Sequence, residues 1–397
     1  MRFARGCGSA HFVSAVHCSL RAQAVKEVPF MTPSSVYITG IGSYSPGNPV
    51  PFECIEDVLG RLEGVPKKLE KRLERLRSVL REMLGIEYSY YAYDPQTGTF
   101  TDTNVSMCEK AARKALDQAH LAARDVELIV YAGILYDVMC PPSSVLVQEA
   151  LGIPYCAELS IHSNCTAIYK ALQVAADLLA GGRYRNALIV TSQMSSAFLR
   201  AEYFNPKMVS LEQVILRWFL SDGAGAWVLS RHPGPHVSLR VTETYLESVG
   251  LGIQPSMRMM AGALHANLVE VYEKGLHHLE QDIKMVSELA PKLFKQGFDT
   301  MREKTGLNMK DVTCFFANIP TKHMMDLLVN GLRRDFQLPD LPFYTKMATR
   351  GYPGAPAIVI ALDEYLQEKP VLSGDRLVSF VTESSKWMHA GFILDAC

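Results

Sequence analysis

No sign of charge dominates this sequence. It holds 40 Lys and Arg against 41 Asp and Glu, a formal net charge of -1. Without a basic surplus there is no electrostatic footprint for nucleic acid or for an anionic membrane surface. No uncharged apolar run reaches the ~18 residues of a spanning helix, so no membrane span is expected. No two cysteines form a CxxC pair. The nine present are odd in number and scattered, which points to buried thiols in a reducing compartment rather than a disulfide framework. A cytoplasmic location is the expectation. The sequence also lacks a GxxxxGKS loop, a GxGxxG turn after a strand and an HExxH pair. Nucleotide and metal chemistry therefore start without support, and no cofactor or metal is expected.

What is present is an ordinary globular composition. The 397 residues are 48% hydrophobic and 20% charged, with 27 glycines, enough for two or three domains or one large two-lobed unit. Residues Met1 to Phe30 stand apart. They carry Arg2, Arg5, Arg21 and Lys26, with no acid before Glu27. They read as a targeting leader, a disordered arm or an over-extended start with Met31 as initiator, and are set aside.

From Val36 onward apolar strand patterns alternate with helical ones. Strands are expected at Val36–Ile41, Asp125–Gly133, Ala187–Thr191, Gly223–Ser230, Val312–Phe316, Arg376–Thr382 and Ala390–Asp395. Helical spacing appears over Ser106–His120, Ala167–Ala180 and Ala355–Leu366, and after Pro320. This interleaving predicts a layered α/β fold. Two stretches look added: a charged amphipathic helix over Pro66–Met83, and Leu251–Thr305, read as long helical patterns with methionines at 257, 259 and 260. That Met cluster reads first as adaptable core and second as the wall of a hydrophobic tunnel. His277 and His278 read as a surface pair with diverging rings. The halves echo one another too weakly to be called a repeat.

One segment carries chemistry. In Cys156–Gly182 a strand-like run, Ala157–Ile161, enters a short polar turn, Cys165 follows, and a small-residue helix begins. Unpaired N–H groups and the positive end of the helix dipole stabilise a thiolate there. The Cys165 pKa is therefore expected to fall, and the same N–H groups could hold an oxyanion beside the sulfur.

From Tyr37 to the C-terminus the sequence resembles the type III β-ketoacyl-acyl-carrier-protein synthases, of the thiolase fold. Tyr37–Pro46 resembles the family's opening strand and turn. Pro142–Gly152 resembles its "PSxAxxVQxxLG" helix. Asn164-Cys165-Thr166-Ala167 resembles its nucleophile segment, and Leu220–Ala226 its "FGDGAGA" turn. The resemblance implies a two-lobed αβαβα fold with mixed sheets around a buried central helix, with lobes at 31–235 and 236–397. It also implies a homodimer, and Cys165 as the residue that accepts an acyl group from a coenzyme A or acyl-carrier-protein thioester.

The sequence departs from the family elsewhere. Where the "HQANxRI" motif places its His stands Asn318, and His323 stands at the Arg position. Where "GNTSAA" places its Asn stands Tyr352. The glycine-rich oxyanion loop reads Glu383-Ser384-Ser385-Lys386, and the "WIxxRTGI" segment reads Val79–Ile86, without its tryptophan or the arginine adjacent to TGI. Asn318 and Tyr352 can donate hydrogen bonds, but neither shuttles protons near pH 7. His323 is the candidate base for an alcohol or amine acceptor, with His162 and His389 as further candidates. The catalytic expectation is thus Cys165, Asn318, His323 and Tyr352, in an acyltransferase or condensing enzyme of specialised polyketide or fatty-acid-derived metabolism. The alternative is a catalytically reduced partner subunit of a ketosynthase-like heterodimer. Cys140, Cys156 and Cys314 read as packing thiols.

Overall fold

The computed structural model describes residues 34–397, apart from the Ser78 side chain. The leader-like segment, residues 1–30, lies outside them. The ten strands of the main sheet are β1 (Tyr37–Tyr44), β2 (Leu128–Gly133), β3 (Ala157–His162), β4 (Asn186–Gln193), β5 (Gly223–Ser230), β6 (Leu239–Ser248), β7 (Cys314–Ala317), β8 (Phe343–Tyr344), β9 (Arg376–Glu383) and β10 (Met388–Ala396). Their spatial order is β8-β7-β9-β10-β6-β1-β5-β4-β2-β3. The helices that matter here are α1 (Lys67–Leu84), α2 (Asn104–Ala119), α3 (Ser143–Leu151), α4 (Ala167–Ala180), α5 (Ile283–Thr305), α6 (Lys322–Asp335) and α7 (Pro356–Glu368).

Read outward from its middle, the sheet repeats itself. One half runs β1-β5-β4-β2-β3 and the other β6-β10-β9-β7-β8. In each half the outer pairings are parallel and the inner ones antiparallel. Helices α2, α3 and α4 occupy the same places in the first half as α5, α6 and α7 in the second. The echo between the halves is therefore a structural repeat, carried by strand order rather than by matching side chains. Within the sheet the halves pair at two positions, Tyr37 with Arg240 and Ile38 with Leu239.

Three apolar clusters account for the layering. One packs α2 and α3 on the first half-sheet through Met107, Ala111, Val147 and Ile129. Another packs α5 and α6 on the second through Phe298, Leu328, Phe315 and Phe380. Between them, the third wraps α4 and α7 with residues of both halves, including Ile168, Leu172, Val359 and Phe392. Alanines at 167, 171, 175 and 176 keep α4 slim enough to be enclosed. At Gly40 a Cβ would collide with the Ala115 carbonyl, so this glycine lets α2 lie directly on β1.

Two expectations are corrected here. Residues 251–267 are not helical. Gly250, Gly252, Pro255 and Gly262 interrupt the pattern, and the long helix begins only at Ile283. His277 and His278 are not a surface pair. Both are buried, with ring centroids 4.4 Å apart. His278 Nε2 accepts the Asn205 backbone N–H at 2.9 Å, and its Nδ1 lies 3.0 Å from Gln213 Oε1. Because they sit in a turn rather than on a helix, the diverging-ring argument does not apply.

Candidate active site

The chain leaves β3 at His162, turns through residues 163–166 and enters α4. Ala167 N–H donates to the Asn164 carbonyl at 2.9 Å, and Lys170 N–H to that of Thr166 at 3.1 Å. Cys165 sits in this turn, half-buried, on the wall of a cavity.

Facing it across the molecule is the head of α7. Gly351 there has φ +66° and ψ -163°, a conformation open essentially to glycine alone. The next residue is pinned by its backbone: Tyr352 N–H donates to the Phe219 carbonyl at 3.0 Å, and Ser221 N–H donates to the Tyr352 carbonyl at 3.2 Å. The Tyr352 ring is thereby aimed inward, and its hydroxyl donates to Cys165 Sγ at 3.1 Å. Burial, then the neighbouring thiol, hold the Tyr352 pKa well above its ordinary value, so this group remains a donor.

Asn318 follows β7 and lines the same cavity. Its Nδ2 donates to Tyr169 Oη at 3.4 Å, and Tyr169 in turn is 2.8 Å from Ser379 Oγ. Its Oδ1 is buried without a partner.

Sequence reasoning missed the role of Glu383, naming it only as part of the altered oxyanion loop. Its buried carboxylate sits at the head of α4. Oε2 accepts Thr166 N–H at 2.9 Å, Thr166 Oγ1–H at 2.6 Å and Ser163 Oγ–H at 3.1 Å, while Ser385 Oγ donates to Oε1. Lys170 Nζ donates to Ser163 Oγ at 2.7 Å. The expected fall in the thiol pKa is overturned. Burial first, then the Glu383 charge, push Cys165 up to about 12 against the opposing Tyr352 hydrogen bond. Besides this burial, the Thr166 N–H at the helix head is already taken by Glu383 Oε2.

The cavity measures about 420 Å³. Next to Cys165 its wall is polar, with Asn164, Gln193, Asn318 and Tyr352. The lining also includes Val286, Ala290 and Phe294 from α5, and Met324 and Leu328 from α6, which make much of it apolar. Met257 and Met259 also line it, so the methionine cluster forms a cavity wall, the second of its two readings.

The histidines do not gather at the thiol. His323 is the second residue of α6 and lies on its exposed face, while Met324 and Leu328 point inward; the assignment of His323 as base is corrected. His162 is exposed and lines the cavity, edge-on to Tyr136 with centroids 5.4 Å apart. His389 is buried on β10 with neither ring nitrogen partnered, and burial lowers its pKa to about 4. Its ring packs so closely under α5 that a Cβ at Gly297 would overlap it. Among the described residues no cluster of three or more His, Cys, Asp or Glu side chains could hold a metal ion. No helix among them is long and apolar enough to cross a membrane.

The family model described as stage V sporulation protein AD (SpoVAD) matches residues 84–286, just over half of the chain, including Cys165 and the Met257 wall. The chain belongs to that family. Its members' model stops short of α6, α7 and β9, and so leaves Asn318, Tyr352 and Glu383 outside. Alignments with single relatives run longer. The β-ketoacyl-[acyl-carrier-protein] synthase III of Clostridium perfringens is 24% identical over 341 residues, 86% of this chain and 93% of the relative. That of Desulfitobacterium hafniense is 26% identical over 352 residues, 87% and 93%. Among solved structures, the tetronic acid condensing enzyme AbyA1 superposes with a TM-score of 0.75 at 21% identity, covering 91% of this chain and 99% of that one. The 3-oxoacyl-[acyl-carrier-protein] synthase III of Aquifex aeolicus gives 0.70 at 18%, with the same coverage. The fold is thus the thiolase type in its β-ketoacyl synthase III-like form, divergent in sequence.

Proposed function

We propose that this protein is an acyltransferase of the β-ketoacyl synthase III kind. Cys165 takes an acyl group from a coenzyme A or acyl-carrier-protein thioester and passes it to a second substrate in a specialised pathway. One observation carries the reading: a cysteine thiol at the head of an enclosed helix, hydrogen-bonded by Tyr352, opens onto a cavity whose lining is largely apolar. That cavity suits an acyl chain, which gains about 0.8 kcal/mol for each CH₂ it buries. In the first step Cys165 Sγ bonds to the thioester carbonyl carbon and the donor's C–S bond breaks. The thiol proton leaves with the departing donor thiol. The Tyr352 hydroxyl supplies a hydrogen bond to the charge that develops. The names and near full-length coverage of the relatives support the same reading.

A homodimer goes with it. Strand β3 ends the sheet, its outer edge is unpaired among the described residues, and Leu159, Tyr155, Val138 and Met139 are exposed beside it. An open edge flanked by exposed apolar side chains invites a covering strand, here that of a second copy. Light scattering on the purified chain tests this; a monomer contradicts it.

A second reading, the partner subunit with a reduced site, is favoured by one feature. Asn318 and Tyr352 stand where the synthases carry His and Asn, and His323 faces away. Intact-protein mass spectrometry separates the two readings. Wild type and Cys165→Ala are incubated with a panel of acyl-coenzyme A and acyl-carrier-protein donors. A mass gain of one acyl group, absent in Cys165→Ala, supports transfer; no adduct with any donor supports the partner subunit.

A further inference from the structure

We propose that Glu383 is a positioning residue that occupies the anion seat at the head of α4 and so holds Cys165 in its thiol form. The inference rests on Cys165 being the reactive thiol of this site, though its test needs no acyl donor. The geometry is specific. Thr166 is the residue after the nucleophile, and its N–H is one of the groups that would stabilise a thiolate or an oxyanion there. Glu383 Oε2 takes that N–H at 2.9 Å and the Thr166 hydroxyl at 2.6 Å. The Ala167 N–H is taken by Asn164. A neutral Gln could offer its oxygen to the Thr166 N–H and hydroxyl, with its NH2 turned to Ser385 as a donor. A buried carboxylate adds a negative charge beside a thiol that must itself become negative to react.

The other groups around the thiol do not cancel that charge. Tyr352 from α7 donates to the sulfur, and Tyr169 on α4 carries no charge, since burial holds its pKa above the usual range. Lys170 on α4 is the one cation in the network. It reaches Ser163 rather than the sulfur, and burial, only partly offset by Glu383, lowers its pKa. His162 and Arg258 line the cavity, and Arg258 is ion-paired with Glu280. The consequence for the reaction is directional. With the Thr166 N–H occupied, a thioester oxygen on Cys165 finds its donor on the Tyr352 side.

The test is a titration of thiolate absorbance, each variant read against its own Cys165→Ala version so that the other cysteines cancel. Glu383→Gln keeps the side-chain volume and an acceptor but removes the charge. Its Cys165 midpoint should fall by about one pH unit or more, about a tenfold gain in thiolate at fixed pH. Iodoacetamide alkylation of Cys165 should follow the same displacement. A purely structural role would change the alkylation plateau and leave the midpoint in place, and that result overturns the proposal. Where Glu383→Gln fails to fold, Glu383→Asp draws the carboxylate back by one methylene. A smaller fall then supports the inference and an unmoved midpoint overturns it. A shifted midpoint stands for the inference whether or not any acyl donor loads Cys165.

Discussion

The Tyr352 hydroxyl reaches Cys165 Sγ across 3.1 Å, and in doing so joins the heads of the two helices that the internal repeat makes equivalent, α7 and α4. The site therefore lies where the halves of the molecule face each other. Removing the donor while keeping the ring tests what the contact contributes. Tyr352→Phe should slow acyl loading of Cys165 by about tenfold to hundredfold, as expected for one lost hydrogen bond to developing charge. Single-turnover loading measured by mass spectrometry gives the number. The alkylation profile of Cys165 should move to higher pH, because the Tyr352 bond opposes the rise in the thiol pKa.

The apolar lining predicts a selectivity. Ala290 is buried on α5 and borders the cavity. Ala290→Phe fills space that a long chain would use, so donors with long acyl chains should lose at least about tenfold in loading rate while acetyl donors are spared. Competition between a short and a long donor in one tube reads the ratio directly. An unchanged ratio means that the chain runs elsewhere.

Gly351 should tolerate no substitution. Its φ and ψ are strained for any side chain, and an added Cβ would meet the Ser221 Cβ at 2.5 Å. Gly351→Ala should cost about 1–3 kcal/mol from the backbone alone, seen as a lower midpoint in urea. Because this residue aims Tyr352, loading of Cys165 should fall even where the variant is folded.

Two buried histidines weaken the fold on the acid side, and Asp222, which burial raises to about 6, works partly against them. Burial, with His277 adding to it, lowers His278 to about 4, and burial lowers His389 to about 4. Both are neutral in the folded protein and regain a proton near pH 6.5 once unfolded. The unfolded state then binds more protons between those values, so stability is full above about pH 6.5 and falls as pH drops towards 4. The loss is roughly 3 kcal/mol for each histidine. Urea denaturation at several pH values should show the net fall, and His389→Gln should lessen it by roughly 3 kcal/mol.

Much of this was legible in the residues, for identifiable reasons. Cys165 stood out because an apolar strand, a polar turn and an alanine-rich helix follow one another without a gap. Tyr352 and Asn318 came from the resemblance, as the residues standing at the family's "GNTSAA" and "HQANxRI" positions, and both line the cavity. His323 was misjudged because counting gives a position along α6 but not its face, and the inward face belongs to Met324 and Leu328. Glu383 was missed for a different reason. It lies 217 residues from the Thr166 N–H that it accepts, and no local pattern reports such a contact. The wrong expectation for the thiol pKa comes first from burial, which no local pattern reports, and then from this same contact. The repeat was hidden because it lives in strand order, while its equivalent positions carry unlike side chains, Cys165 in one half and Tyr352 in the other.

Peptide mapping after incubation with a long-chain acyl thioester tests the central claim most directly. The account predicts one acyl group on the peptide that carries Cys165, released by hydroxylamine as a thioester is, and absent when Cys165 is alanine. Acyl groups spread over Cys54, Cys140 and other accessible thiols, with none on Cys165 above the level of the unfolded chain, would contradict it.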